Sequence, residues 1–144
     1  MPEAAAPPAD KPRAVTPIFV GQVMADGTVY AGVSPTTGRR FFAMPADAPV
    51  MLDFNDAARY AGELVFGGNN DFRLPSEAEA RLLSENKFIG ALARTFNTEA
   101  SLRGTYWLAE TEHNEFTAHD ITMADGFRCF DYKERRHAVR CVRG

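Results

Sequence analysis

Long apolar runs, a cysteine framework and a surplus of positive charge are all missing from this sequence, and each absence removes a class of protein. No stretch reaches the ~20 consecutive apolar residues of a membrane span, and no apolar h-region follows a basic start, so neither a span nor a secretory signal is expected. Two cysteines, Cys129 and Cys141, cannot build a disulfide framework. They read as free, largely buried thiols, with a single bridge between them as the alternative. A formal net charge of −3 speaks against a general nucleic-acid binder, because such domains are usually basic over one face. His113, His119 and His137 are too scattered for a metal motif, and neither cysteine has C-x-x-C spacing. Each histidine therefore reads as a surface or hairpin residue, and no metal or other cofactor is expected. No G-x-S-x-G elbow marks a serine hydrolase. The expected location is the cytoplasm as synthesised, with incorporation into a virion as one setting.

What remains is a chain of 144 residues with ordinary charged and apolar fractions. That length suits one domain able to bury about two thirds of its unfolded surface without staples. Residues 1–17, "MPEAAAPPADKPRAVTP", hold five of the nine prolines and almost no bulky apolar side chain. They are expected to be an extended, poorly ordered arm, either a passive linker or a tether to a neighbouring subunit or larger assembly. The domain proper is expected over 18–144.

Within it, "IFVGQVMADGTVYAGV" reads as two strands about a turn at Asp26-Gly27, where glycine tolerates a positive φ. "RRFFAMP" reads as a third short strand. "LDFNDAARYAGELV" switches to helical spacing, with Ala57, Tyr60, Ala61 and Leu64 on one face and Asp53 placed as cap. "GGNN" is the expected glycine stop of that helix. "DFRLPSEAEARLL" follows. Ser76 and Glu79 have the spacing of a capping box, worth about 1 kcal/mol, and Pro75 forces Leu74 into an extended shape. Arg73-Leu74-Pro75-Ser76 is thus a fixed corner between an extended segment and a helix, with Arg73 expected on a carboxylate or on backbone carbonyls. Leu82 and Leu83 are expected to bury against a sheet. A third helical pattern carries Phe88, Ile89, Leu92 and Phe96. "TYWLAE" is a strand and "TEHNE" a loop. "FTAHDITM-ADG-FRCFDYK" is a hairpin, and "HAVRCVR" is a closing strand that puts Val139 and Cys141 on one side and Ala138, Arg140 and Val142 on the other.

Strands from both ends of the chain with helices between them make an α+β pattern. Three stretches in order, "FRLPSEAEARLL", "TYWLAE" with Trp107, and "AVRCVR" with Arg140, carry a resemblance over residues 18 to 143. Together they resemble a bacterial and phage domain family of unknown function that also forms the C-terminal domain of a collagen-like bacterial adhesin. The resemblance implies a C-type-lectin-like fold, two or three helices packed on a small twisted, mainly antiparallel sheet, with a loop-rich face for binding. More distant likeness extends to the formylglycine-generating sulfatase-activating enzymes and to retroelement-diversified receptor-binding proteins of phages. Since these relatives do different things, the likeness implies a scaffold and no activity.

The calcium-holding E-P-N, Q-P-D and W-N-D triplets of sugar-binding C-type lectins are not present, and Trp107 is followed by "LAE". The acidic loop around Glu110, Glu112, Asn114 and Glu115 could supply oxygen ligands, but solvated acidic loops are commoner. An oxidase reading would need Cys129 and Cys141 as a reactive pair, and nothing nearby depresses a thiol pKa. Binding is the reading left. Glu110, Glu112, His113 and Asn114 with the hairpin residues Phe127, Arg128 and Tyr132 form the expected ligand face, since aromatic and arginine side chains supply much of the energy at interfaces. One face of the hairpin is expected to pack into the core. The expectation is a non-enzymatic module that meets a protein or glycan surface, with a structural oligomerisation protein as the alternative and a degenerate oxidase further behind.

Overall fold

A computed structural model describes residues 17–99, 102–112 and 114–144, with the backbone alone for residues 102 and 110–112. The proline-rich arm, apart from Pro17, lies outside the described residues. The elements run β1 (Val29–Val33), β2 (Arg40–Ala43), α1 (Phe54–Glu63), α2 (Glu77–Glu85), β3 (Thr105–Glu112), β4 (Thr117–Thr122), β5 (Phe127–Tyr132) and β6 (Val142–Arg143). The class is α+β.

The strands form two antiparallel sheets instead of the one expected, in the orders β1-β2-β6 and β3-β4-β5. The chain's closing segment explains the division. It pairs with β2 at Val142 and Arg143, and makes a parallel bridge from Ala138 to Tyr106 on β3. Between these points the carbonyls of Cys141 and Val139 accept from Met44 and Ala48 in a loop, so no continuous ladder joins the sheets. The segment from Ala138 to Val142 is therefore a seam between them.

Alternation along this seam sorts the interior. Ala138 and Val142 enter one apolar cluster with Leu83, Leu92, Tyr106, Leu108 and Ile121. Val139 and Cys141 enter another with Phe54, Ala57, Ala61 and Trp107. β3 obeys the same rule, Tyr106 and Leu108 facing α2 and Trp107 facing α1, as the period of two requires. Phe54 meets Trp107 edge-on at 5.5 Å.

Both helices start as their sequences dictate. The carboxylate of Asp53 accepts from the N–H of Asp56, and Ser76 and Glu79 form the reciprocal capping box. Leu83 is fully buried and Leu82 packs half-buried beside it.

Three local expectations change. The first strand shrinks to a bridge between Val23 and Val29, because Gly21 (φ 91°) turns the chain away; the Asp26-Gly27 turn itself is present. α1 stops at Glu63 with Leu64 already extended, and Gly67 and Gly68 instead make a tight turn closed by Phe66 and Asn69. The third helical pattern yields a single 3₁₀ turn, Gly90–Leu92, which leaves Phe88 and Ile89 exposed. Gly90 has φ 56°, and its backbone lies so close to Gly21 that a Cβ there would sit 2.6 Å from the Gly21 carbonyl oxygen. Ala91 donates to that same oxygen at 2.8 Å. Docking of two glycine backbones overrides helical periodicity here.

Candidate functional site

The corner at residues 73–76 sits within a buried polar knot. Arg73 donates to both carboxylate oxygens of Glu79, at 2.7 and 2.9 Å, and to the carbonyl of Gly144 at 3.0 Å. Ser34 and the backbone N–H of Ser76 also donate to Glu79, at 2.5 and 2.9 Å. Burial alone would push the Glu79 carboxyl up, but these donors outweigh it and hold the group down at about 2. Leu74 and Pro75 are buried, and the Pro75 carbonyl accepts from Ala109 of β3 at 2.8 Å. Ser34, Ser76 and Glu79 are buried and Arg73 covers them from the surface, a third exposed at its side chain, which makes this a joint in the scaffold.

Arg140 is a second internal strut, 1% exposed. Its guanidinium lies 3.9 Å from the centre of the Phe96 ring and donates to Asp47, to the Met44 carbonyl and to Thr95. Asp47 accepts in addition from the hydroxyl of Tyr106 at 2.7 Å. The strut ties the loop after β2 to the irregular stretch after α2.

The candidate ligand face is at the opposite extreme of exposure. β5 is the outer strand of its sheet; α1 packs on β3 and α2 on β1, β3 and β4, and all of β5 but the half-buried Asp131 is exposed. Phe127 is 74% exposed, Phe116 65%, Tyr132 54% and Phe130 48%. The expectation that one side of the hairpin would pack into the core is met by β4, through Ala118 and Ile121, and not by β5. Phe130 and Tyr132 stand opposite His119 and Thr117 of β4. Arg128 is on the same side, 3.5 Å from His119 and 3.6 Å from Glu77 at the start of α2. Phe127 projects from the other side beside the turn, where Gly126 has φ 74°. The result is a two-sided aromatic ribbon with one arginine.

Of the other expected face residues, Asn114 is exposed and its side-chain oxygen accepts from the N–H groups of Phe116 and Thr117, shaping the start of the hairpin. The side chains of Glu110 and Glu112, and all of His113, lie outside the described residues. The ribbon therefore brings together Phe127, Arg128 and Tyr132 with Phe116 and Phe130.

Beneath the ribbon lies a group that spacing alone concealed. His137 is fully buried, not a surface histidine, and its Nε2 is 2.9 Å from Asp131 and 3.5 Å from Asp120. Pairing in the hairpin sets Asp120 opposite Cys129 and Asp131 opposite Ala118, so the two carboxylates are diagonal neighbours on one side. Burial, and then the charge of Asp131, pushes the Asp120 carboxyl up to about 7. The hairpin pattern in the sequence could have found the two aspartates. The arrival of His137 depends on the tertiary return of the chain.

Neither cysteine is bridged; Cys129 is exposed and Cys141 buried. Burial pushes the Cys141 thiol up to about 12, although the Arg140 guanidinium works the other way. A shallow groove of about 550 Å³ between α1 and the segment 48–52 is lined by Val50, Tyr60, Leu64 and Val65. The titratable groups beside it include Asp56 and Arg59, which pair with each other. No helix among the described residues is long and apolar enough to cross a membrane. No protein-family model matches the chain, and no curated protein matches it.

Proposed function

We propose that this chain is a binding or assembly module without catalytic activity, of C-type-lectin-like fold, which meets a protein or glycan surface through the β4–β5 ribbon. One observation carries the reading. Four aromatic side chains are exposed along or beside an edge strand whose residues are almost all exposed, and clustered exposed apolar groups mark interaction sites. Aromatic rings stack on sugar faces and anchor protein interfaces, and Arg128 adds a planar donor among them. The knot at Arg73 and the strut at Arg140 support the same reading from the other side, because they fix the scaffold and leave the ribbon as an exposed surface. A phage particle or a cell-surface assembly is the setting this reading favours.

The test is a glycan array and a panel of candidate surface proteins probed with the full chain and with Phe127→Ala/Tyr132→Ala. The reading expects a bound class whose signal falls at least about tenfold in the variant. Binding that the variant retains in full would place the contact elsewhere.

A second reading has its own support. An edge strand presents open backbone donors and acceptors and can pair with another copy. Light scattering coupled to size exclusion separates the two: a stable oligomer that the same double variant dissociates favours the structural role, and a monomer that binds ligand favours the first.

A further inference from the structure

The structure points to a binding site for one divalent transition-metal ion of the zinc class, formed by Asp120 of β4, Asp131 of β5 and Nε2 of His137; this inference is our own and does not depend on the ribbon's ligand. The three donor atoms lie within 4.8 Å of one another. Two ligands each about 2.1 Å from a common ion, at angles between square and tetrahedral, lie about 3.0 to 3.4 Å apart. The separations of 2.9 and 3.5 Å from Nε2 bracket that spacing.

A hydrogen bond alone accounts for only part of this arrangement. One Nε2–H can serve one acceptor well, and Asp131 at 2.9 Å takes that role. Asp120 then stands at 3.5 Å, 4% exposed, with a carboxylate that accepts no hydrogen bond among the described residues. Two carboxylates crowded against one imidazole inside a protein are costly unless a proton or a metal cation joins them. Arg135 stands 4.0 Å from Asp131 on its more open side. It does not pair with Asp120.

The imidazole is also held in place by its surroundings. The backbone N–H and carbonyl of His137 both pair with Leu52 at 3.0 Å. Its ring abuts the Trp107 indole at 4.5 Å, and that indole donates to the same Leu52 carbonyl at 2.9 Å. These contacts fix the orientation of the ring. Imidazole with carboxylate oxygens favours zinc over magnesium or calcium, and Asp131, 16% exposed at its side chain, leaves an approach for the ion and for a water ligand. Bound there, the ion would join the hairpin to the C-terminal seam and stiffen the base of the ribbon.

The experiment is isothermal titration of the EDTA-stripped full chain with Zn²⁺ alone, with Mg²⁺ and Ca²⁺ as contrasts, alongside thermal melts. The expected result is about one Zn²⁺ per chain and a melting temperature that rises with Zn²⁺ concentration. Asp120→Asn and Asp131→Asn should each weaken binding by more than about tenfold, while Cys129→Ser and His119→Gln leave it unchanged. If either asparagine variant does not fold, the wild-type His137 ring nitrogen resonances decide, since Nε2 must shift on adding Zn²⁺. Substoichiometric binding, full binding by both asparagine variants, loss in the two control variants, or an unmoved Nε2 resonance would each overturn the proposal.

Discussion

Arg73 holds Glu79 by both carboxylate oxygens, at 2.7 and 2.9 Å, across the turn that Pro75 forces on the chain. Glu79 is fully buried, so this pair is a joint between the extended segment and α2. Removing one member of such a pair strands the other. Glu79→Ala should cost about 3 to 5 kcal/mol, read as a fall in the urea midpoint with an unchanged slope. Arg73→Met should cost less, because its guanidinium is a third exposed and Ser34 and Ser76 still donate to the carboxylate.

The same carboxyl sets an acid limit. Its pKa is held down at about 2 in the folded chain, against an ordinary value of 4.5. A depressed carboxyl stabilises fully above its unfolded pKa and loses that contribution as pH falls towards the folded one. Between pH 4.5 and about 2 the chain should therefore lose about 3 kcal/mol from this group. Denaturant melts across that window check it. The loss should be absent in a Glu79→Gln variant stable enough to measure.

How far the sequence could be read follows from which interactions are local. The capping box, the Asp53 cap, the hairpin turns and the two-sided alternation of "AVRCVR" depend on neighbours a few residues away, and all are present. The third helix was lost to a contact between Gly21 and Gly90, which no window around Phe88 contains. The single sheet became two because the seam at 139–141 pairs with a loop. One face of the hairpin is expected in the core, yet the aromatics on both faces of β5 are exposed, since a strand's position at a sheet edge is a property of the assembled fold. Likewise His137 meets its aspartates only through the chain's return.

Arg140 gives a prediction about the interior. It is buried with Asp47 and stacks on Phe96, and its donors reach two loops at once. Arg140→Ala would leave Asp47 without its cation, where burial already pushes that carboxyl up. The expected cost is about 3 to 5 kcal/mol. Arg140→Lys keeps the charge and loses the planar fork, so it should fall between the two. Chemical denaturation of the three proteins would show equal stabilities if the strut were idle.

The cysteines separate by exposure, and this makes a direct assay. Cys129 lies on the uncovered strand, whereas Cys141 lies in the seam against the α1 side of the core, its thiol pushed up to about 12. Thiolate is the reactive form, and both burial and the raised pKa suppress it. Titration with a thiol-reactive disulfide at pH 8 should release about one equivalent from the native chain and a second only on unfolding. Cys129→Ser should abolish the native signal, and Cys141→Ser should leave it intact. A native reaction of both thiols at similar rates would mean that the seam opens to solvent, contrary to the packing of Val139 and Cys141 beside Trp107.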